Sequence, residues 1–366
     1  MEKEWMVMQI VIVGAGIAGL TTALAFECLV PKGRVTLVEQ APSLEPVGAG
    51  IVLWPNALRV LEELGIPAET LATRGRVGAL GGIRTPSGRW LQRLDPRPEE
   101  RPAAYHRADL VALLRDHLGH TDIVLGAQVT RVEPTGEVTW HQPPDTDHRV
   151  SADVAVAADG IHSPVRRAHW AIDPRPSGIV CARAVVPVAI ESGAETWGRG
   201  AMAGYVPLTD GRTYVYAARR TPWDGHDLAW LAAWPDPFPT LAAAAAGQDL
   251  IVAELASLPP VRPWVRGRIA LVGDAAHAML PFLGQGACQG IEDAFAVARA
   301  IASGDLAAYE RARRQRALAV SRASRSASLV ALADGWRAAV RDAAMPWVPP
   351  VVTRASMARF TTRPHA

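Results

Sequence analysis

Cysteine is scarce in this chain of 366 residues: Cys28, Cys181 and Cys288 are three in number and far apart. An odd, scattered set excludes a disulfide framework and suggests no clustered zinc site, so no metal is expected and a reducing cytoplasm is the expected compartment. Charge of one sign is equally lacking. Lys+Arg 38 against Asp+Glu 36 leaves a formal net charge of +2, too little to expect a nucleic-acid or anionic-membrane partner. A small, nearly neutral molecule fits better. Long apolar runs are missing too. The one N-terminal candidate is interrupted by glycine and polar residues within Gly14 to Thr21, and Glu2, Lys3 and Glu4 stand where a basic leader would be. Neither a signal peptide nor a membrane span is read there.

What is present is an ordinary globular composition, 49% hydrophobic and 20% charged with 31 Gly and 29 Pro, enough for two or three domains. The 12 tryptophans outnumber the 5 Tyr and the 5 Phe, and most are expected to be packed indoles with satisfied N–H groups. No internal repeat is evident.

The opening reads as strand, turn, helix, strand: Gln9 to Val13 is rich in Val and Ile, Gly14 to Gly19 is a turn, Leu20 to Val30 is helical, and Arg34 to Val38 is β-branched. A parallel pair joined by a right-handed crossover follows. Helices are expected over Asn56 to Leu64, closed by Gly65, and over Ala108 to Leu118. Residues 71 to 100, rich in Gly, Pro and Arg, suggest hairpins. From Ile179 onward, short strands at Val180 to Val186, Met202 to Pro207 and Arg212 to Ala218, with an Asp210-Gly211 turn, predict an antiparallel layer. Arg268 to Val272 and Gly290 to Ile301 restore a strand and a helix. The division expected is a discontinuous nucleotide-binding domain at 1–70, 101–173 and 262–300, an antiparallel-sheet substrate domain at 71–100 and 174–261, and a helical region at 301–366. That region would close over the back of the first domain or make a dimer contact.

Gly14-Ala15-Gly16-Ile17-Ala18-Gly19 is a GxGxxG between a strand and a helix, the context in which it binds a dinucleotide. The first glycine permits the tight turn, the second lets backbone approach a pyrophosphate, and the third lets helix and sheet pack. Glu39 lies 20 residues beyond Gly19, where an acid accepts from ribose hydroxyls. Two further strands end in acids: one at Asp159-Gly160, followed by Ser163, Pro164, Arg166 and Arg167, the other at Gly273-Asp274, followed by His277 and the Pro281 to Ala287 run. Arg166 and Arg167 suit structural or solvated pairs, His277 either a base or a structural role, and Cys288 a packed helix start.

With these motifs in this order, and with Tyr105-His106-Arg107 before a helix, residues 9 to 300 resemble the class A flavoprotein monooxygenases. The Gly48 to Leu58 and Gly284 to Gln289 segments look most like the branch of salicylate hydroxylase and zeaxanthin epoxidase. The resemblance implies an α/β fold of para-hydroxybenzoate hydroxylase type: a Rossmann-like FAD-binding domain with an inserted antiparallel substrate sheet and C-terminal helices. It implies FAD held by Gly14, Gly16, Ala18, Gly19, Glu39, Arg107, Asp159 and Asp274, with the Val129 backbone at the adenine. Gly286 and Ala287 would open a helix toward the flavin pyrimidine. Pro281, Gly284 and residues 48 to 51 would line the flavin's reactive edge.

The family chemistry is reduction of FAD by NAD(P)H as a transient reductant, O2 addition at flavin C4a, and passage of one oxygen from the hydroperoxide to an aromatic or polycyclic substrate. Arg183, Tyr205, Tyr214 and Tyr216 are the candidate substrate contacts. No residue announces itself as a base for a phenol, and indole, polyketide or alkene substrates stay open. So does a flavin-containing cyclase or isomerase. A halogenase is disfavoured, because its Trp-x-Trp-x-Ile-Pro run is absent and lysine is nearly so. The protein is expected to act as a monomer or homodimer.

Overall fold

The computed structural model describes residues 7–44, 49–78, 80–94, 96–144 and 146–362. Glu2, Lys3, Glu4 and Gly48 lie outside the described residues. The β-branched run Gln9–Val13 forms a strand buried along most of its length, as a strand covered on both faces must be. It pairs in parallel with Arg34–Val38 on one side and Val154–Ala157 on the other, with Ile12 opposite Leu37 and Val156. Asp122–Val124 extends this sheet beyond Arg34–Val38, and Ile269–Leu271 then Val265–Arg266 extend the other edge, giving six strands. The helix Ile17–Leu29 is apolar on nearly every side because it is enclosed, packing against both the sheet and the helix Gly286–Ala302.

A second sheet of seven strands runs Ile251–Ser257, Arg175–Val186, Thr213–Arg220, Ala201–Pro207, Gly193–Trp197, Leu80–Arg84, Trp90–Arg93. Every pairing is antiparallel except that between Gly193–Trp197 and Leu80–Arg84. The turn at Asp210-Gly211 joins two of these strands, Gly211 having φ +78°. Period-two alternation gives the sheet two distinct faces. Ala182, Ala184, Val186, Tyr205, Val215 and Ala217 pack outward against Leu228, Leu231, Phe238 and Leu241. Cys181, Arg183, Tyr214 and Tyr216 alternate with them and face the nucleotide-binding half.

Several expectations need correction. Residues 71 to 74 finish a helix, Ala68–Arg74, and Arg76–Val77 joins a small sheet with Gly50–Leu53 and Ala103–His106, so the 71 to 100 stretch holds one hairpin. Gly193–Trp197 and Ile251–Ser257 were not expected as strands; their alternation is weak and long-range pairing decides them. Most of the described indoles are packed, as expected. Trp336 and Trp347 are 72% and 85% exposed, and Trp54, Trp140 and Trp230 bury an N–H with no partner.

The C-terminal helices touch both halves. Ala307–Ala331 begins against Gly286–Ala302, where Tyr309 is fully buried and donates to Leu271 O at 2.8 Å. Its far end places Ala331 and Leu332 among Leu91, Trp197, Met202 and Leu280. Arg341, on the helix Gly335–Ala344, then donates to Trp197 O and Gly198 O at 3.2 and 2.9 Å. Among the described residues no helix is long and apolar enough to cross a membrane.

Candidate active site

Each fingerprint glycine has its own physical reason. Gly14 has φ +95°, and a Cβ there would sit 2.8 Å from Ala158 O. A Cβ on Gly19 would meet Gly14 O at 1.9 Å, so only glycine lets the helix pack on the turn. Gly16 has nothing within 4 Å of such a Cβ, so its backbone borders open space at the start of the helix. No side chain caps that helix and no acid occupies its first turn, which leaves its N–H groups and positive dipole end free for a pyrophosphate. Ala18 serves packing instead: its Cβ lies 3.0 and 3.2 Å from where Cβ atoms on Gly273 and Gly290 would be.

Glu39 closes the same corner. Its Oε2 accepts the Ala15 N–H at 2.7 Å and its Oε1 the Ala41 N–H at 2.8 Å, and a carboxylate so held keeps lone pairs for ribose hydroxyls. Val129 lies on the strand Gln128–Val132, just beyond Ala127, whose N–H donates to Glu39 O at 2.9 Å.

Asp274 is exposed at the turn after Ile269–Leu271, yet burial by the surrounding protein pushes its carboxyl up, against the opposing pull of His277, Arg107 and Arg166. The Arg107 guanidinium is exposed, and its charge reaches both Asp274 and Tyr214. Asp159 buries Oδ1 without a partner while Oδ2 accepts the Val165 N–H at 3.3 Å; burial pushes it up as well. Arg166 is wholly buried and donates to the carbonyls of Ile172, Ala275 and Ile161, so it braces the turn, and Arg167 pairs with Asp173 at the surface.

The third segment runs from the turn Pro281–Leu283 into the helix Gly286–Ala302, which again starts without a capping side chain. Gly284 has φ +60°, and a Cβ there would lie 3.1 Å from the unpartnered Trp54 Nε1. Gly286 borders open space, and Ala287 is partly buried against the core. Cys288 is fully buried, accepts the Trp54 N–H at 3.4 Å, and has its thiol pushed up to about 12 by burial, so it packs and does not attack. An open fingerprint glycine, two uncapped helix starts, an anchored acid and an orphaned indole N–H form a donor and acceptor set that fits FAD.

Behind these segments lies a polar core that sequence reasoning missed. Arg313 is buried and donates to Asp293 Oδ1 at 2.8 Å, to Glu292, and to Gln289 Oε1 at 2.8 Å. Asp293 Oδ2 accepts the Gly273 N–H at 3.0 Å and lies 2.5 Å from His277 Nε2. Gly273 has φ +57°, so Asp293 pins the strained turn that presents Asp274. Burial pushes both acids up, but Arg313, joined by Arg316 at Glu292 and by His277 at Asp293, outweighs it and holds both below their ordinary values. The adjacent acids Glu292-Asp293 in a helix buried over most of its length were the available signal. His277 is accordingly a structural group.

Residues 7–233 and 259–324 match the family described as an FAD binding domain. The chain is 31% identical over 337 residues to the aurachin C monooxygenase/isomerase of Stigmatella aurantiaca, covering 85% of this chain and 86% of that protein. It is 34% identical over 314 residues to the 2-heptyl-3-hydroxy-4(1H)-quinolone synthase of Pseudomonas aeruginosa, covering 80% of each. Klebsiella pneumoniae HpxO, solved with FAD and uric acid, superposes with a TM-score of 0.83 at 23% identity over 97% of this chain and 96% of that one. This chain therefore belongs to the class A FAD-dependent monooxygenases, an enzyme family that binds FAD through a Rossmann-like domain.

Of the substrate candidates, the structure brings Arg183, Tyr214 and Tyr216 together on the inward sheet face. Arg183 buries an unpartnered Nε. Tyr214 and Tyr216 have ring centroids 5.4 Å apart, and a Cβ on Gly50 would sit 2.2 Å from the Tyr214 ring. Tyr205 belongs to the other face, where its ring meets Phe238 edge-on and its hydroxyl accepts from Arg84 at 3.0 Å. Odd and even positions of Ala201–Pro207 point oppositely, which the sequence pattern alone could not orient.

Proposed function

We propose that this chain is an NAD(P)H-dependent FAD monooxygenase that transfers one oxygen atom from O2 to an aromatic or polycyclic small molecule in the cytoplasm. One observation carries this reading: the Tyr214 ring lies flush on Gly50, bringing the polar face of the seven-stranded sheet against the strand Gly50–Leu53. Arg183, Tyr214 and Tyr216 stand on the sheet side of this contact, and Tyr216 and Phe282 pack against the same apolar cluster. Aromatic rings stack on such walls, and a site between two layers excludes water. The named chemistry of the quinolone synthase and of the urate-bound relative supports an aromatic heterocycle as substrate.

FAD, when bound, carries electrons from the nicotinamide and activates O2. The chain's own residues do the rest. Glu39 and the fingerprint N–H groups orient the adenosine end, Asp274 and Arg107 hold the ribityl and phosphate groups, and the start of Gly286–Ala302 offers N–H donors to the pyrimidine side. Pro281 and Gly284 shape the reacting edge without supplying a proton.

The test is NAD(P)H oxidation by the FAD-loaded enzyme across a panel of hydroxylated and nitrogen-containing aromatics, with 18O2 and mass spectrometry of the product. The expected result is substrate-stimulated oxidation and one labelled oxygen atom per product. Turnover that proceeds without O2 or reductant would overturn the reading in favour of a flavin-containing cyclase or isomerase.

A further inference from the structure

Glu195 is a carboxylic acid on the inward face of the substrate sheet that the reading above does not use. Its Oε1 accepts the Tyr216 O–H at 2.7 Å and its Oε2 accepts the Trp197 Nε1–H at 2.8 Å. Both donors come from the sheet itself: Trp197 from the same strand, Tyr216 from two strands away. Gly204, opposite Glu195 in the intervening strand, makes the reach possible, because a Cβ there would sit 2.3 Å from the Tyr216 ring and hydroxyl. Tyr216 therefore lies across Gly204 with its hydroxyl on the carboxylate and its ring beside Tyr214. It packs against two apolar clusters, one that holds Leu280 and also takes Phe282, the other also taking Val52. Both Glu195 and Tyr216 keep part of their surface accessible.

Among the described residues no cation pairs with this carboxylate. Arg183 stands directly opposite Tyr216 in the adjacent strand, and its charge acts on Cys181 and Tyr214. Arg341, from the helix behind, stands over the Trp197 ring at 5.9 Å and spends its N–H groups on carbonyls and Asp342. Arg84, on the neighbouring strand, turns to Thr196, Tyr205 and Asp236 O. The two clusters beside Tyr216 are apolar. Burial accordingly pushes the Glu195 carboxyl up, opposed only by its two hydrogen bonds, and pushes the Tyr216 phenol up with it.

Resting on the monooxygenase reading, we propose that Glu195 and Tyr216 form a proton acceptor in the substrate cleft, selecting aromatics with an acidic O–H or N–H and holding them as anions. The step balances without an oxidant. Ionised Glu195 takes the Tyr216 phenolic proton on Oε1, and Tyr216 takes the substrate proton on its oxygen. The substrate O–H or N–H and the old Tyr216 O–H break, while a Glu195 O–H and a new Tyr216 O–H form. The substrate becomes an anion, richer in electrons at the carbon to be oxygenated, and Glu195 becomes neutral. Tyr216 is the group that meets substrate, and Glu195 acts through it.

The test uses 4-nitrophenol, whose phenol and phenolate absorb differently, with 4-nitroanisole as a probe that has no proton to give. Both are titrated into the FAD-loaded wild type, Glu195→Gln and Tyr216→Phe across a pH series. The wild type is expected to bind phenolate below the pH at which the free phenol ionises. Each variant is expected to show about tenfold less bound phenolate at the same pH, equivalent to one pKa unit. 4-Nitroanisole affinity and FAD content should stay unchanged. An equal phenolate fraction in all three proteins would overturn the proton acceptor while leaving the aromatic cleft standing. Failure of the wild type to take up either probe would overturn both. Tyr216→Phe keeps the packed ring, so it carries the test if Glu195→Gln does not fold.

Discussion

Glycines at the fingerprint turn and at the Tyr214–Tyr216 corner face obstacles of different kinds. At Gly14 and Gly19 an added Cβ would strike main chain, the Ala158 and Gly14 carbonyl oxygens at 2.8 and 1.9 Å. At Gly50 and Gly204 it would strike rings, Tyr214 and Tyr216 at 2.2 and 2.3 Å. Main chain in a packed turn cannot give way, whereas a ring can swing at the cost of its neighbours. The fingerprint turn is thus fixed by backbone geometry and the Tyr214–Tyr216 corner by side chains.

The strongest break of this contrast comes from Gly19→Ala. Overpacking usually costs about 1–3 kcal/mol, and with backbone as the obstacle the expected outcome is the upper end or beyond, with FAD lost on purification. The ratio of flavin to protein absorbance and a thermal melt check it. An equally stable, FAD-replete variant would show that the fingerprint yields as side chains do.

Next is Arg313→Leu, which strands Glu292 and Asp293 without their shared cation. Breaking a buried pair this way costs about 3–5 kcal/mol, measured by urea unfolding. The pH dependence carries the sign. In the wild type both acids are held below their ordinary values of 4.5 and 3.8, so their stabilisation is complete above those values and is lost as pH falls through the lowered folded ones. In the variant Arg316 still reaches Glu292 and His277 still reaches Asp293, so each acid is lowered less and the stability lost on acidification becomes smaller. A variant that keeps the wild-type acid profile would remove Arg313 from the account.

Asp274→Ala should weaken FAD by about 10- to 100-fold, the range of a hydrogen bond to a charged group, with the circular dichroism spectrum unchanged. Fluorescence titration of the stripped protein with FAD reads it. Smallest is Gly204→Ala, where only the end of the Tyr216 side chain must move. It should retain FAD and melt within about 1 kcal/mol of wild type, while 4-nitrophenol uptake as phenolate falls toward that of Tyr216→Phe. If Gly204→Ala instead releases FAD, the two halves are not separable in this way.

The same contrast explains what could be read from the sequence. The strand Gln9–Val13, the helix after it and Arg34–Val38 were legible because their pattern and glycine spacing are local. Glu39, 20 residues past Gly19, was legible for the same reason, and its two N–H bonds place it at the fingerprint. Glu195 was not, since its importance depends on Tyr216 reaching over Gly204 from another strand. Tyr205 was misplaced because alternation tells which residues share a face but not where that face points. Arg313 escaped notice because a basic residue in an Arg-rich helix reads as solvated until its partners on another helix are known.

The helix Ala307–Ala331 spans roughly 37 Å at the usual rise per residue and is fastened at both ends. Tyr309, Arg313 and Ser324, the last bonded to Leu280 O, anchor it in the flavin half, and Ala331 and Leu332 anchor it toward the substrate sheet. Mechanically it is a stay between two plates. A hinge that swung the sheet away from the flavin half would have to pull buried guanidinium and apolar anchors loose together, so the stiff direction of the molecule is the one a clamshell opening would use. A graft that changes the sheet must therefore keep the stay at its present length.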